Sequence, residues 1–231
     1  MLSKRSLRQP RYSLLGLLAA LSLAFGAPGI APTAGANPAL PEGTYIYALS
    51  RNGDVVGQQR VDFARDGGKL TVVSDVQIDV KFLGFNLYGF RQHVEEIWQD
   101  GALLSLSSEA DDDGTPKKVS MTRQGDRLVG DYNGKERDVS AKLLTSTFWN
   151  FDAMRQKTIL DCFKGKERDV AIEDRGETLV TLLTGQVKAR HFVVTGELTR
   201  ELWYDAGGIL VSGQLLAKDG SIIRQDLIKR P

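Results

Sequence analysis

The chain has 231 residues, 30 basic and 29 acidic, with one cysteine and two histidines, and a formal charge of +1. At 42% hydrophobic it is too apolar for a disordered chain and too charged for a polytopic membrane protein. One cysteine excludes an internal disulfide framework and multi-cysteine zinc or iron–sulfur sites, and near-zero charge argues against nucleic acid as a partner.

The charge is unevenly placed. Residues 1–36 contain Lys4, Arg5, Arg8 and Arg11 and no acid, and an apolar run follows from Leu14 to Phe25. A basic start, an apolar stretch and small residues are the pattern of a secretory signal peptide, with Ala34-Gly35-Ala36 placing the cut after Ala36. A membrane span needs roughly 20 apolar residues; this run is shorter and is followed by Pro28 and Pro32. No cysteine for a lipid anchor lies near the cut, and no paired arginine precedes the apolar run. The expected location is periplasmic, with no membrane span after cleavage. Removing residues 1–36 leaves 231 − 36 = 195 residues with charge (30 − 4) − 29 = −3. Residues 37–42 read as a tether and 43–231 as one antiparallel β domain.

Within that domain Tyr45, Tyr47 and Leu49 share a strand face. Val55, Gly57, Val61 and Phe63 alternate with polar residues, and Leu70, Val72, Ser74, Val76, Ile78 and Val80 do so over a longer run. Turn signals such as Asn52-Gly53, Asp100-Gly101, Asp113-Gly114, Asn133-Gly134 and Asp219-Gly220 punctuate the apolar runs. The pattern predicts an all-β fold of about a dozen strands, curled into a β-roll or open barrel. From Leu143 to Gln156 the period of two is lost. Asn150 as N-cap, Asp152 in the first turn and Ala153 to Gln156 predict one short helix near the middle of the chain. The hexapeptide Gly-Lys-Glu-Arg-Asp-Val occurs at 134–139 and again at 165–170. Its flanks do not match, so it reads as two similar charged hairpin arms rather than a solenoid repeat.

Chemistry is sparse. His191 shares parity with Val187, Ala189 and Val193 and reads as a hydrogen-bonded core residue. His93 lies among Arg91, Glu95 and Ile97, on a face that is either exposed or lines a polar-edged cavity. Cys162 follows Asp161, which opposes thiolate formation, and no Gly-x-Ser-x-Gly elbow is present. The run Glu109, Asp111, Asp112, Asp113 lacks the spacing of a calcium loop, and Glu95, Glu96 and Asp100 read as strand-face or turn acids. The sequence points to no metal, no cofactor and no catalytic constellation. Two aromatic clusters stand out, Phe82 to Phe90 and Phe148 to Phe151. They either fill the core, the preferred reading because aromatics dominate ordinary cores, or rim an apolar pocket at a barrel mouth. On the pocket reading the ligand-binding candidates are Phe85, Tyr88, Phe90, His93, Phe148 and Trp149.

The stretch Thr145-Ser146-Thr147-Phe148-Trp149-Asn150 resembles a motif of an exported bacterial family, domain of unknown function 6134. Glu96-Ile97-Trp98-Gln99-Asp100-Gly101, Leu202-Trp203-Tyr204-Asp205 and the opening Tyr-x-Tyr strand are similar to it too. The likeness covers about Gly43 to Ile228 and departs at Thr145 and Phe151, where proline is expected. The resemblance implies a periplasmic antiparallel β-roll, akin in look to the exported family numbered 3108, and no activity. The expected function is a non-enzymatic envelope protein binding an apolar small molecule or lipid, or an envelope protein partner. One alternative is a structural or assembly factor acting through a sheet edge or the Phe148–Phe151 region. A second is a hydrolase assembled from distant acids and His93.

Overall fold

Each Asn-Gly or Asp-Gly pair turns the chain back on itself, so the strands follow one another as a meander. The computed structural model describes residues 40–83, 85–217 and 219–231. The expected signal peptide and its cut lie outside the described residues. At Asn52-Gly53 and Asn133-Gly134 both residues have positive φ, 51° and 97°, then 49° and 76°. That geometry matches the right-handed twist of the flanking strands.

The first eight strands pair in chain order: β1 (Gly43–Arg51), β2 (Asp54–Asp66), β3 (Lys69–Phe82), β4 (Phe85–Gln99), β5 (Ala102–Asp112), β6 (Thr115–Gln124), β7 (Arg127–Tyr132) and β8 (Lys135–Ser140). Six more follow: β9 (Thr158–Asp161), β10 (Lys166–Leu182), β11 (Gly185–Gly196), β12 (Arg200–Tyr204), β13 (Leu210–Leu216) and β14 (Ile222–Lys229). β14 returns to pair with β1, so one 14-stranded antiparallel sheet runs from β8 through β1 and β14 to β9. Fourteen strands replace the dozen expected. So many twisted strands curl into a nearly closed, barrel-like sheet rather than staying open.

The seam of that barrel lies between β8 and the β9–β10 hairpin. Arg137 Nε donates to the Lys164 carbonyl at 3.0 Å, and Glu167 Oε1 accepts from the Ser140 N–H at 2.9 Å. The two copies of the repeated hexapeptide therefore face each other across the seam, one entering β8 and the other β10. Their charged side chains span a gap where ladder hydrogen bonds stop.

The inward face carries the core, with Tyr45, Tyr47, Val61, Phe63, Leu70, Val72, Trp98, Leu106, Met121, Phe192 and Leu202 all buried. Parity fails once in β2. A register shift beside Leu49 and Ser50 pairs Leu49 with Gly57 and Ser50 with Val55, which leaves Val55 60% exposed. The expected short helix is a single 3-10 turn, Phe151–Arg155, capped as expected by Asn150, whose side chain accepts from the Asp152 N–H. One turn forms because the chain must re-enter β9 at Thr158, and Gln156 is already extended. Outside the barrel, Arg224 Nη2 donates to the Thr181 carbonyl at 2.8 Å, tying the β10–β11 hairpin to β14.

Candidate functional site

Residues 141–157 leave the sheet after β8 and pack inside the barrel as a plug. The main chain is held first: Ser146 N donates to the Leu160 carbonyl at 2.8 Å, and Leu160 N to that of Leu144 at 2.9 Å. Phe148 and Trp149 then turn inward and are buried, and Phe148 takes φ +54°, unusual for a bulky residue. Tyr204 answers that turn by donating its hydroxyl to the Phe148 carbonyl at 2.8 Å. Trp149 meets Phe63 and Trp98 edge to face at 5.5 and 5.6 Å, and Phe151 meets Tyr204 the same way at 5.1 Å.

Glu96 fastens the plug to β4. Its Oε2 accepts the indole N–H groups of Trp98 (2.9 Å) and Trp149 (2.7 Å), and its Oε1 accepts the Thr147 hydroxyl at 2.8 Å. Thr145 and Thr147 hydroxyls are themselves 2.8 Å apart. Glu96 is 1% exposed. The other buried carboxylates, Asp161 and Asp226, have arginine partners in Arg168 and Arg224, whereas Glu96 is met by neutral donors. Burial pushes the Glu96 carboxyl up, and the donated hydrogen bonds only partly pull it back. The strand-face acid expected at Glu96 is instead a buried anchor of the plug. The available signal was its parity with Val94 and Trp98, the apolar face of β4.

Between the plug and the barrel end near the β3–β4 hairpin lies a cavity of about 640 Å³. Phe148, Cys162 and Thr147 form its floor, and Val76, Ile78, Val94, Leu202, Leu210 and Ile223 give it apolar walls. Gln59, Gln92, Gln225 and Ser74 add polar points, three of them already engaged: Gln59 donates to Ser74 (2.9 Å) and Gln92 to Ser108 (3.1 Å). Charge gathers on one side. Asp161 is bound by Arg168 at 2.8 and 2.9 Å, and Arg200 projects from the start of β12 on the same face as Leu202. Burial lowers the Arg200 pKa, and the charge of Asp161 partly offsets it. Cys162 lies among these groups with its thiol pushed far up by burial, so it is not a ready nucleophile.

The structure brings three of the six pocket candidates together. Tyr88, Phe90 and Phe148 line this cavity, with the Tyr88 hydroxyl donating to Asp112 at 2.8 Å and Phe90 resting 6.0 Å from Phe163. Trp149 sits on the far side of the plug. Phe85 is 74% exposed at the hairpin tip. His93 points outward from β4, 2.7 Å from Asp75, into an open concavity of about 750 Å³. Charged residues on that outer face pair with one another, as Lys118 does with Glu109 at 2.7 Å. His191 also faces outward, stacked on Trp203 at 4.5 Å and bonded to Glu201 at 2.9 Å. It is a half-buried, hydrogen-bonded residue on the outer face of β11, not the core residue expected, because that face packs against β12 rather than into the barrel. Among the described residues no group of three side chains is placed to hold a metal ion.

A nearly closed antiparallel barrel with an internal plug and an open end defines the class: an all-β, barrel-like protein. The chain belongs to the family described as a domain of unknown function, DUF6134, whose model matches residues 47–228. Among solved structures it is similar to a beta-barrel-like protein of domain of unknown function DUF1849 from Brucella abortus. The identity is 12%, the TM-score 0.57, and the match covers 83% of this chain and 98% of that one. At that identity the likeness is one of fold. No curated protein matches the chain.

Proposed function

We propose that the protein is exported to the periplasm and binds an apolar small molecule or lipid in the open end of its barrel, without catalysing a reaction on it. The observation that carries this reading is the cavity of about 640 Å³ above the plug, walled by Val76, Ile78, Phe90, Phe148 and Leu202. Ligand sites are typically about 300–1,000 Å³, mostly apolar and dotted with a few polar groups. Export is supported by the basic, then apolar, then small-residue order of residues 1–36. Native mass spectrometry of protein purified gently from the periplasm, followed by incubation with a lipid extract, tests the reading. A bound species released by organic solvent is the expected result. Protein that stays unliganded in both measurements overturns it.

A second reading, contact with an envelope protein, rests on the β3–β4 tip, where Leu83, Phe85 and Leu87 are 82%, 74% and 59% exposed. A photocrosslinker at Phe85 that captures one reproducible partner in cells supports it; a spread of unrelated neighbours argues against it.

A further inference from the structure

We infer that the ligand of this cavity is an acidic amphiphile, an aliphatic chain ending in a carboxylate, and that Arg200 binds the acidic group. The inference rests on the cavity being a ligand site, as proposed above, and adds the chemistry of the headgroup.

Arg200 is the reason. It stands among apolar wall residues, next along β12 to Leu202 and beside Leu198. A guanidinium has five N–H donors and no acceptor, so it needs partners wherever water is scarce. Among the described residues the side chain of Arg200 makes one hydrogen bond, Nη1 to the carbonyl of its neighbour Thr199 at 2.8 Å. The nearby carboxylate of Asp161 acts on it through its charge but makes no hydrogen bond to it among the described residues. Asp161 is held by both Nε and Nη2 of Arg168 and also accepts the Phe163 N–H at 2.9 Å. Glu197, the other acid on this edge, takes the Asp169 N–H at 3.0 Å and lies 3.5 Å from Arg168. The guanidinium of Arg200 thus retains donors with no carboxylate hydrogen-bonded to it among the described residues, on a half-buried side chain that lines the cavity. A carboxylate is the planar acceptor that two of those donors fit.

Position gives the orientation. β12 runs from Arg200 at the open end to Tyr204 at the plug, with Leu202 between them on the same face. A ligand whose head meets Arg200 lays its chain along Leu202, Ile78 and Val94 toward Phe148. The depth of the tail is limited by the plug.

The test compares three probes on the delipidated, signal-free chain: hexadecanoate, its methyl ester and hexadecanol, each titrated by isothermal calorimetry at neutral pH. A charge-assisted pair predicts hexadecanoate binding about tenfold or more tighter than the ester. Arg200→Gln should narrow that preference to within about twofold while leaving ester affinity in place, which also reports that the cavity still forms. Lys229→Gln, an exposed charge on β14 away from the cavity lining, should keep the preference. Equal affinity of the wild-type protein for acid, ester and alcohol overturns the headgroup assignment while leaving the apolar cavity reading intact. A preference that survives Arg200→Gln also overturns it. Failure of all three probes to bind overturns both.

Discussion

Replacing Glu96 isolates what holds the plug. Glu96→Leu removes the acceptor of two indole N–H groups and one hydroxyl, at 2.9, 2.7 and 2.8 Å. Each buried donor left unpaired costs about 1–3 kcal/mol. Three of them, offset by no longer burying a carboxylate, give a loss of roughly 3–6 kcal/mol. Against a total stability of about 5–15 kcal/mol this leaves a fragile protein. Glu96→Gln should behave differently. Its amide oxygen accepts both indoles, and its nitrogen donates to Thr147, whose hydroxyl turns to Thr145 at 2.8 Å. The expected change at neutral pH is within about 1 kcal/mol.

The same pair gives a pH signature. Burial holds the Glu96 pKa above its unfolded value. The folded state therefore favours the protonated form, and this group's contribution is fully present below the unfolded pKa of about 4.3. It is lost as pH rises through the folded value. The stability of wild type minus that of Glu96→Gln should fall as pH rises from 4, then level off. Urea unfolding followed by fluorescence reads this directly, because Trp98 and Trp149 are the partners. A Glu96→Leu variant within 1 kcal/mol of wild type, or a wild-type/Gln difference that is flat or rises with pH, would refute the reasoning.

Three further outcomes follow from the same packing. Tyr204→Phe leaves the Phe148 carbonyl without its donor and should cost about 1–2 kcal/mol in chemical denaturation. Cys162, buried with a raised pKa, should react slowly with iodoacetamide in the native state; rapid native-state labelling would show that the thiol is reached through the open end of the cavity. Gly57→Ala places a Cβ 2.0 Å from the Gln77 carbonyl oxygen across the β2–β3 pair, so a loss of roughly 2–3 kcal/mol is expected. An unchanged midpoint would mean that the bulged end of β2 is free to shift.

Alternation made most of the sheet readable. Leu70 to Val80 and Tyr45 to Leu49 face inward as their spacing requires, because a period of two is a local property of an extended chain. Val55 escaped because a bulge changes parity without any mark in composition. The cavity residues were legible only in part for another reason. Tyr88 and Phe90 share the even-numbered face of β4 with Glu96, whereas His93 has the opposite parity and faces out. Parity alone separates them. What parity cannot give is how deep the plug sits, because that depends on Glu96 meeting Trp149 across 53 residues of chain. Nor does it give the helix length, which was cut to one turn by the re-entry into β9. Arg200 carried a signal that went unused: a cation at the parity of Leu202 and Tyr204, on a face where charge is costly.

The stretches that carry the family resemblance converge on the plug, not on the cavity wall. Glu96 and Trp98 come from one, Thr147, Phe148 and Trp149 from a second, and Tyr204 from a third, and all meet in one hydrogen-bonded cluster. That cluster fixes the floor of the cavity and closes the barrel at one level. It does so with groups that are hydrogen-bonded to one another. In this chain these stretches place the floor. On the proposed ligand-binding reading, specificity comes from residues above it, such as Arg200, Gln225 and Phe90, which lie outside those stretches. On that reading two proteins sharing the plug and the barrel would bind different molecules wherever these residues differ. Exchanging the residues above the plug, with Glu96 and the two tryptophans kept, should change which ligand is held without moving the unfolding midpoint by more than the ligand's own contribution.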